Sequence, residues 1–242
     1  MYREVPPPPA LPAAVRGFVR CAWTSDETGP KRIVPDGCTD LVAAGDQVFV
    51  AGPDTTAWTS EFPPGTRVHG LRFRPGATAA LLGVGADELR DSRIPLSRLR
   101  NRPGEALTDR ILSAPDPAAE LAAAAADLAP GPVAEDPLVE RMLAQLSTGA
   151  GLSRPDRPCP APVTKSDRQA RRRFTLAVGY GPAVYRRVLR LQRAIALAPA
   201  IPDLAGLAAA AGYADQPHLT RECRALTGLT PGAYFTGRGP GS

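Results

Sequence analysis

Arg172 and Arg221 stand 49 residues apart in two segments that repeat each other. A guanidinium presents its N–H donors in a rigid planar fork, which fits O6 and N7 of guanine as well as it fits a phosphate or a carboxylate. The residues around the two arginines recur at the same offset: Gly179, Pro182 and Tyr185 return as Gly228, Pro231 and Tyr234. Apolar residues keep the register too, with Ala170, Phe174 and Ala177 in the first copy and Leu219, Cys223 and Leu226 in the second. That i, i+4, i+7 spacing is the stripe of a helix. Each copy opens on an N-cap type of residue, Ser166 or Asp215, and closes on a glycine where a left-handed cap would sit. The sequence therefore predicts one short helix built twice, with Arg172 and Arg221 off the buried stripe. Arg168, Arg171, Gln216 and His218 fall near the same outer face, within reach of base edges or phosphates, and Thr220 suits a phosphate. Two such helices are what entry into two successive major grooves of DNA requires.

Two other groups of residues are chemically equipped. Cys38 lies between Asp36 and Asp40, and His69 precedes Arg72 and Arg74. A cysteine nucleophile needs a base to lower its pKa, and His69 is the one histidine in that half of the chain. The plainer reading buries Cys38 after the turn Pro35-Asp36-Gly37. Arg72 and Arg74 alternate with Leu71 and Phe73, which predicts that they share one strand face; facing inward they favour an anionic ligand, facing outward they are solvated. Trp23 and Trp58 are either core or the walls of a ligand pocket. The cysteines at 21, 38, 159 and 223 are too far apart in sequence for a CxxC motif, so reduced structural thiols are expected, with no metal and no cofactor.

The elements that must position these residues divide the chain. Residues 1–137 carry 14 Lys/Arg against 18 Asp/Glu, and residues 138–242 carry 15 against 6, so the overall charge of +5 hides a strongly basic C-terminal part. Such a surplus is the electrostatic footprint expected of a nucleic-acid binder. Short β-like runs at 32–34, 41–44, 48–51, 58–62 and 68–73, separated by Pro/Gly/Asp turns, predict a small antiparallel sheet or barrel. Helices follow over 96–112 and 118–128, the second so rich in alanine that it should pack rather than bind. The Pro/Gly cluster at 129–132 marks a domain boundary, and a helix over 138–147 precedes a stretch, 153–162, in which four prolines prevent a regular helix. Residues 182–198 predict a long helix with Val184, Val188, Leu191 and Ile195 inward and Arg186, Arg187, Arg190 and Arg193 mostly outward. A final helix pair is expected from Asp203, the first burying Leu204, Leu207, Ala208 and Ala211 before Gly212.

That pair is specific enough to suggest a family. The order Gly212-Tyr213, Asp215, His218-Leu219, Arg221, Cys223, Gly228 and Pro231 resembles the second helix-turn-helix of the AraC/XylS family of bacterial transcription regulators. Leu219 and Cys223 stand where the family usually has phenylalanine. The segment from Ser166 through Phe174 to Gly179, Pro182 and Tyr185 is similar to the family's first helix-turn-helix, except that prolines occupy the place of its supporting helix. The runs 32–41 and 70–76 resemble an uncharacterised sensor-like domain that precedes such modules.

The resemblance implies an α+β chain of two domains. Residues 1–132 would form a mixed β/α sensor-like domain with Trp23, Asp36, Cys38, Trp58, His69, Arg72 and Arg74 as candidate ligand contacts. Residues 133–242 would form an all-α DNA-binding domain with two helix-turn-helix units. Expected partners are double-stranded promoter DNA, RNA polymerase and a small-molecule effector, with no membrane, in a cytoplasmic monomer or homodimer that is not an enzyme. Two alternatives stand beside this reading: an enzyme-like or reactive-cysteine sensor fused to a DNA-binding module, and a protein-interaction adaptor with degenerate DNA binding.

Overall fold

The computed structural model describes residues 1–9, 11–27, 29–129, 136–148 and 165–236. The proline cluster at 153–162 and the junction at 130–132 lie outside them. The strands are β1 (Tyr2–Val5), β2 (Val19–Ser25), β3 (Lys31–Ile33), β4 (Thr39–Ala44), β5 (Gln47–Ala51), β6 (Trp58–Ser60), β7 (Val68–Phe73) and β8 (Arg93–Pro95). Six of them form one antiparallel sheet in the order β1-β2-β7-β4-β5-β8, and β3 pairs with β6 separately. The sheet is open, with β1 and β8 at its edges, so the expected sheet or barrel is a sheet. Neither edge strand was expected from sequence: β1 is mostly exposed and shows no apolar alternation, and β8 has only three residues.

One face of the sheet is covered by α1 (Ala13–Arg16), α2 (Thr78–Leu82), α3 (Leu96–Ser113) and α4 (Pro117–Leu128). Alternation puts Leu41 and Ala43, Val48 and Val50, and Leu71 and Phe73 on that face, where they pack with Leu81, Leu82, Ile111, Leu121 and Ala125. A fully buried leucine or phenylalanine there contributes on the order of 1.5–3 kcal/mol. Val42, Ala44, Phe49 and Val68 form a smaller cluster on the other face, with Trp23 and Phe62. Asp116 starts α4 by accepting the N–H groups of Ala118 and Ala119, with Pro117 pre-set at its first position.

The remaining helices are α5 (Pro137–Ser147), α6 (Lys165–Val178), α7 (Pro182–Leu197), α8 (Leu204–Ala211), α9 (Gln216–Thr227) and α10 (Pro231–Thr236). Val139 and Leu143 of α5 pack with Phe174 and Val178 of α6 and with Tyr185 and Val188 of α7. Further along α7, Ala194 joins Leu207, Ala208 and Ala211 of α8 and Leu219 of α9 in a second core. One continuous helix, about 24 Å long at 1.5 Å per residue, thus belongs to both units. The inner face of α7 departs from expectation, because Arg190 is only 2% exposed and points into the fold.

The two sets of helices and strands are joined by direct contacts. Gln192 of α7 donates to the carbonyl of Pro35 at 2.6 Å, and Tyr185 packs on Gly37. The turn at Gly76 rests on Val139, Glu140 and Leu143 of α5.

Candidate nucleic-acid interface

The helices α6 and α9 have the polarity that DNA reading needs. At α9, Asp215 is the N-cap, its carboxylate accepting the His218 N–H at 2.7 Å. Gly228 closes the helix at φ +75°, and Gly179 ends α6 at φ +95°, both left-handed as the sequence predicts. Leu219, Cys223 and Leu226 face inward, as does Phe174 in the first copy. On the outside, Arg168, Arg171 and Arg172 of α6 and Gln216 and Arg221 of α9 are exposed. None of these arginines is in an ion pair among the described residues, so each guanidinium fork is open to a phosphate or a base edge. One expectation is corrected: α6 begins at Lys165, so Ser166 lies inside its first turn rather than at its N-cap. Arg224, exposed one turn beyond Arg221, was missed although its i+3 spacing puts it on the same face.

Two neighbours are less available. Thr220 turns its hydroxyl back to the Gln216 carbonyl at 3.0 Å, and His218 is half-buried. Nδ1 of His218 accepts the Ala214 N–H at 3.4 Å, which assigns the ring proton to Nε2, facing Oε1 of Glu222 at 3.4 Å. Its ring also meets Tyr213 edge-on. Glu222 is the centre of this cluster. It is 6% exposed and pairs with Arg190 at 2.7 Å and Arg187 at 3.2 Å, while the Arg190 guanidinium lies over the Tyr213 ring. A carboxylate on the back of α9 therefore pins it to α7. At the first unit the corresponding strap is external: Arg173 makes two bonds, of 2.8 and 2.6 Å, to Asp136, the residue that caps α5.

A bundle of this kind, with two like helices offering open arginines, invites comparison with known DNA-binding modules. Residues 162–237 match the family described as a helix-turn-helix domain. The C-terminal region is an AraC-type helix-turn-helix domain. The coarse role that goes with such a domain is that of a DNA-binding transcription regulator. Residues 3–95 match a domain of unknown function (DUF6597), which precedes the AraC-type domain here. No curated protein matches the chain. Among solved structures, ToxT from Vibrio cholerae is similar over 89% of this chain and 96% of its own, at 8% identity and a TM-score of 0.45. In the described residues no helix is long and apolar enough to cross a membrane.

The candidate ligand contacts upstream of the AraC-type domain do not form one site. Arg72 is ringed by Glu4 at 3.0 Å, Asp36 at 3.3 Å and Asp40 at 3.0 Å. Burial alone would lower the pKa of Arg72, but Asp40 and Asp36 more than offset it and raise it. Asp40 also accepts the indole N–H of Trp23 at 2.8 Å. Arg74 lies beyond the end of β7, exposed and bonded to the Gly17 carbonyl at 2.7 Å, so the two arginines do not share a strand face. Cys38 is buried with Arg20 at 3.5 Å from its sulfur, and burial followed by the nearby Asp36 pushes its thiol pKa well up. His69 pairs with Ala43 whereas Phe73 pairs with Thr39, the neighbour of Cys38. Four strand steps at about 3.3 Å place the histidine roughly 13 Å away along the sheet. Cys38 and His69 therefore form no dyad. Trp58 sits elsewhere, under the Arg93 guanidinium at 3.8 Å.

Asp36 and Arg74 do meet at one place, an open cleft of about 490 Å³ between the sheet domain and the AraC-type domain. Arg20 from the sheet side and Glu140, Ser147, Tyr185 and Gln192 from the helices complete its polar lining.

Proposed function

We propose that the chain reads a bipartite operator, laying α6 and α9 into two successive major-groove segments on one side of the DNA. Arg172 and Arg221 donate to base edges, Arg168, Arg171, Gln216 and Arg224 hold flanking bases or phosphates, and α7 carries both units. His218 and Thr220 keep a smaller part, because their polar atoms already serve α9 itself. The observation that carries the proposal is the equivalence of Arg172 and Arg221: same repeat position, both exposed, both outside any ion pair among the described residues. Bound promoter DNA would then place the N-terminal domain beside the transcription machinery.

The effector belongs in the cleft between the domains rather than at Trp58, His69 or Cys38. A small polar molecule there touches Arg20 and Arg74 on one side and α5 and α7 on the other, so it can bias how the domains sit.

Selection of bound sequences from a random duplex pool by the full chain tests the DNA reading. The expected product is two conserved blocks with centres roughly 10 base pairs apart. Affinity for that product should fall steeply with salt, with a log–log slope of roughly −0.9 per phosphate contacted. A pool that stays random, with affinity flat in salt, refutes the proposal and favours the protein-interaction adaptor.

A further inference from the structure

We infer that the loop of residues 52–57, with Arg32 and Arg90, is a gauge that fixes the separation of α6 and α9. The N-terminal domain thereby sets which interval between half-sites the chain accepts. This rests on the reading of α6 and α9 as the two DNA-contacting helices.

Every helix ends on carbonyls that its own backbone cannot satisfy. At α6 the Ala86 N–H donates to the Leu176 carbonyl at 2.8 Å, and Nη1 of Arg90 donates to that of Gly179 at 3.1 Å. At α9 the Ala57 N–H donates to the Leu226 carbonyl at 2.7 Å, and Nη1 of Arg32 donates to that of Thr227 at 2.9 Å. Each recognition helix thus receives the same pair of donors from the N-terminal domain, one backbone amide and one guanidinium. A cation is also what the negative end of a helix dipole favours.

One loop reaches both ends. Its Pro53 packs against Gly179 so closely that a Cβ there would overlap the proline ring, and its Ala57, four residues on, bonds Leu226. The loop is held from within. Asp54 accepts both Nη groups of Arg93 at 2.6 and 2.5 Å, and Arg93 lies over Trp58. Asp91 accepts the Thr55 N–H at 2.6 Å and its hydroxyl at 2.8 Å. Gly52 donates to the Ser92 carbonyl at 3.0 Å, and no side chain fits at Gly52 because its Cβ would fall on the Leu89 carbonyl. A rigid loop touching both helix ends removes the twist that α7 and its flanking joints would otherwise allow. One added base pair turns the second half-site by about 35° and moves it about 3.4 Å, which a braced pair cannot follow. Arg32 and Arg90 are therefore positioning residues for DNA reading, although neither lies on the reading face.

The test uses the full chain and the duplex it selects from a random pool, remade with the interval between blocks one base pair longer or shorter. The wild type should lose roughly 10-fold or more in affinity on either change, as a preorganised binder does. The Arg32→Ala/Arg90→Ala double variant should lose less than about 3-fold, the mark of a reader no longer preorganised, and Arg32→Lys, which keeps a donor, should restore part of the discrimination. Amide exchange of the wild type supplies a check independent of variant folding: the N–H groups of Ala57 and Ala86 should be protected. A double variant with the wild-type interval profile, or fast exchange at both amides in the folded chain, overturns the gauge while leaving DNA reading intact. A chain that selects no sequence overturns both.

Discussion

At the scale of single residues, the exposed side chains of α6 and α9 and those facing inward were legible to different degrees. Arg172 and Arg221 could be placed from the repeat alone, because an apolar stripe at i, i+4, i+7 fixes what lies off it. Glu222 and Arg190 could not, since a charge at a helix position looks solvated until its partner 32 residues away is known. Their burial has a consequence for stability. Glu222→Ala should cost about 3–5 kcal/mol, as expected when a buried cation loses its carboxylate. Chemical denaturation of the full chain checks it, and a loss under 1 kcal/mol would mean that Arg190 is well served without Glu222. His69 gives a pH-dependent counterpart. Burial, with the neighbouring Arg67, lowers its pKa in the folded chain, while the unfolded chain titrates near the ordinary value of about 6.5. Between the two values the unfolded state binds more protons, so the contribution is present above about pH 6.5 and lost as pH falls through that range. The drop in the urea midpoint between pH 7.5 and pH 5 should be smaller in His69→Gln; an equal drop would place the pH dependence elsewhere.

At the scale of elements, the strongest periodic signals gave the helices almost to the residue. The predicted helix over 182–198 is α7 (Pro182–Leu197), and the pair from Asp203 is α8 and α9. Caps explain that accuracy: a proline in the first turn marks the starts of α7 and α9, and a left-handed glycine marks the ends of α8 and α9. The edge strands β1 and β8 had no such marks; they exist because β2 and β5 offer free edges to pair with. Arg72 and Arg74 were misjudged for a related reason, since β7 ends at Phe73. The cap of α9 carries a prediction of its own. Asp215→Ala removes the acceptor for the His218 N–H and loosens the turn before the reading face, at about 0.5–2 kcal/mol of stability. DNA affinity should fall with it, measured by gel shift at a temperature where both proteins are fully folded. Unchanged affinity would mean that α9 docks without help from its own cap.

At the scale of the whole molecule, the charge asymmetry and the repeat pointed to a basic two-unit reader behind a separate domain, but not to how tightly the two parts engage. Gly179 and Gly228 were recognisable as caps; that the N-terminal domain meets those same ends was not, because contacts between residues 32 and 227 or 57 and 226 leave no local pattern. Among the described residues the engagement leaves the outer faces of α6 and α9 exposed, so the faces proposed to read DNA are not covered by the N-terminal domain. On the proposed reading, the cleft, the loop of residues 52–57 and the helices α6 and α9 would form one mechanical chain through α5 and α7.

The central claim is that one chain reads two half-sites with two equivalent arginines. Its most direct test measures the binding of wild type, Arg172→Ala and Arg221→Ala to every single-base variant of the selected duplex. Each substitution should cost about 1–3 kcal/mol and flatten discrimination at one or two positions, the two affected blocks lying roughly 10 base pairs apart. Arg221→Ala should have the larger or equal effect, because its helix is backed by the buried Glu222 cluster and an unbroken supporting helix. Losses spread evenly over all sequences, or both arginines mapping to the same block, would contradict the account.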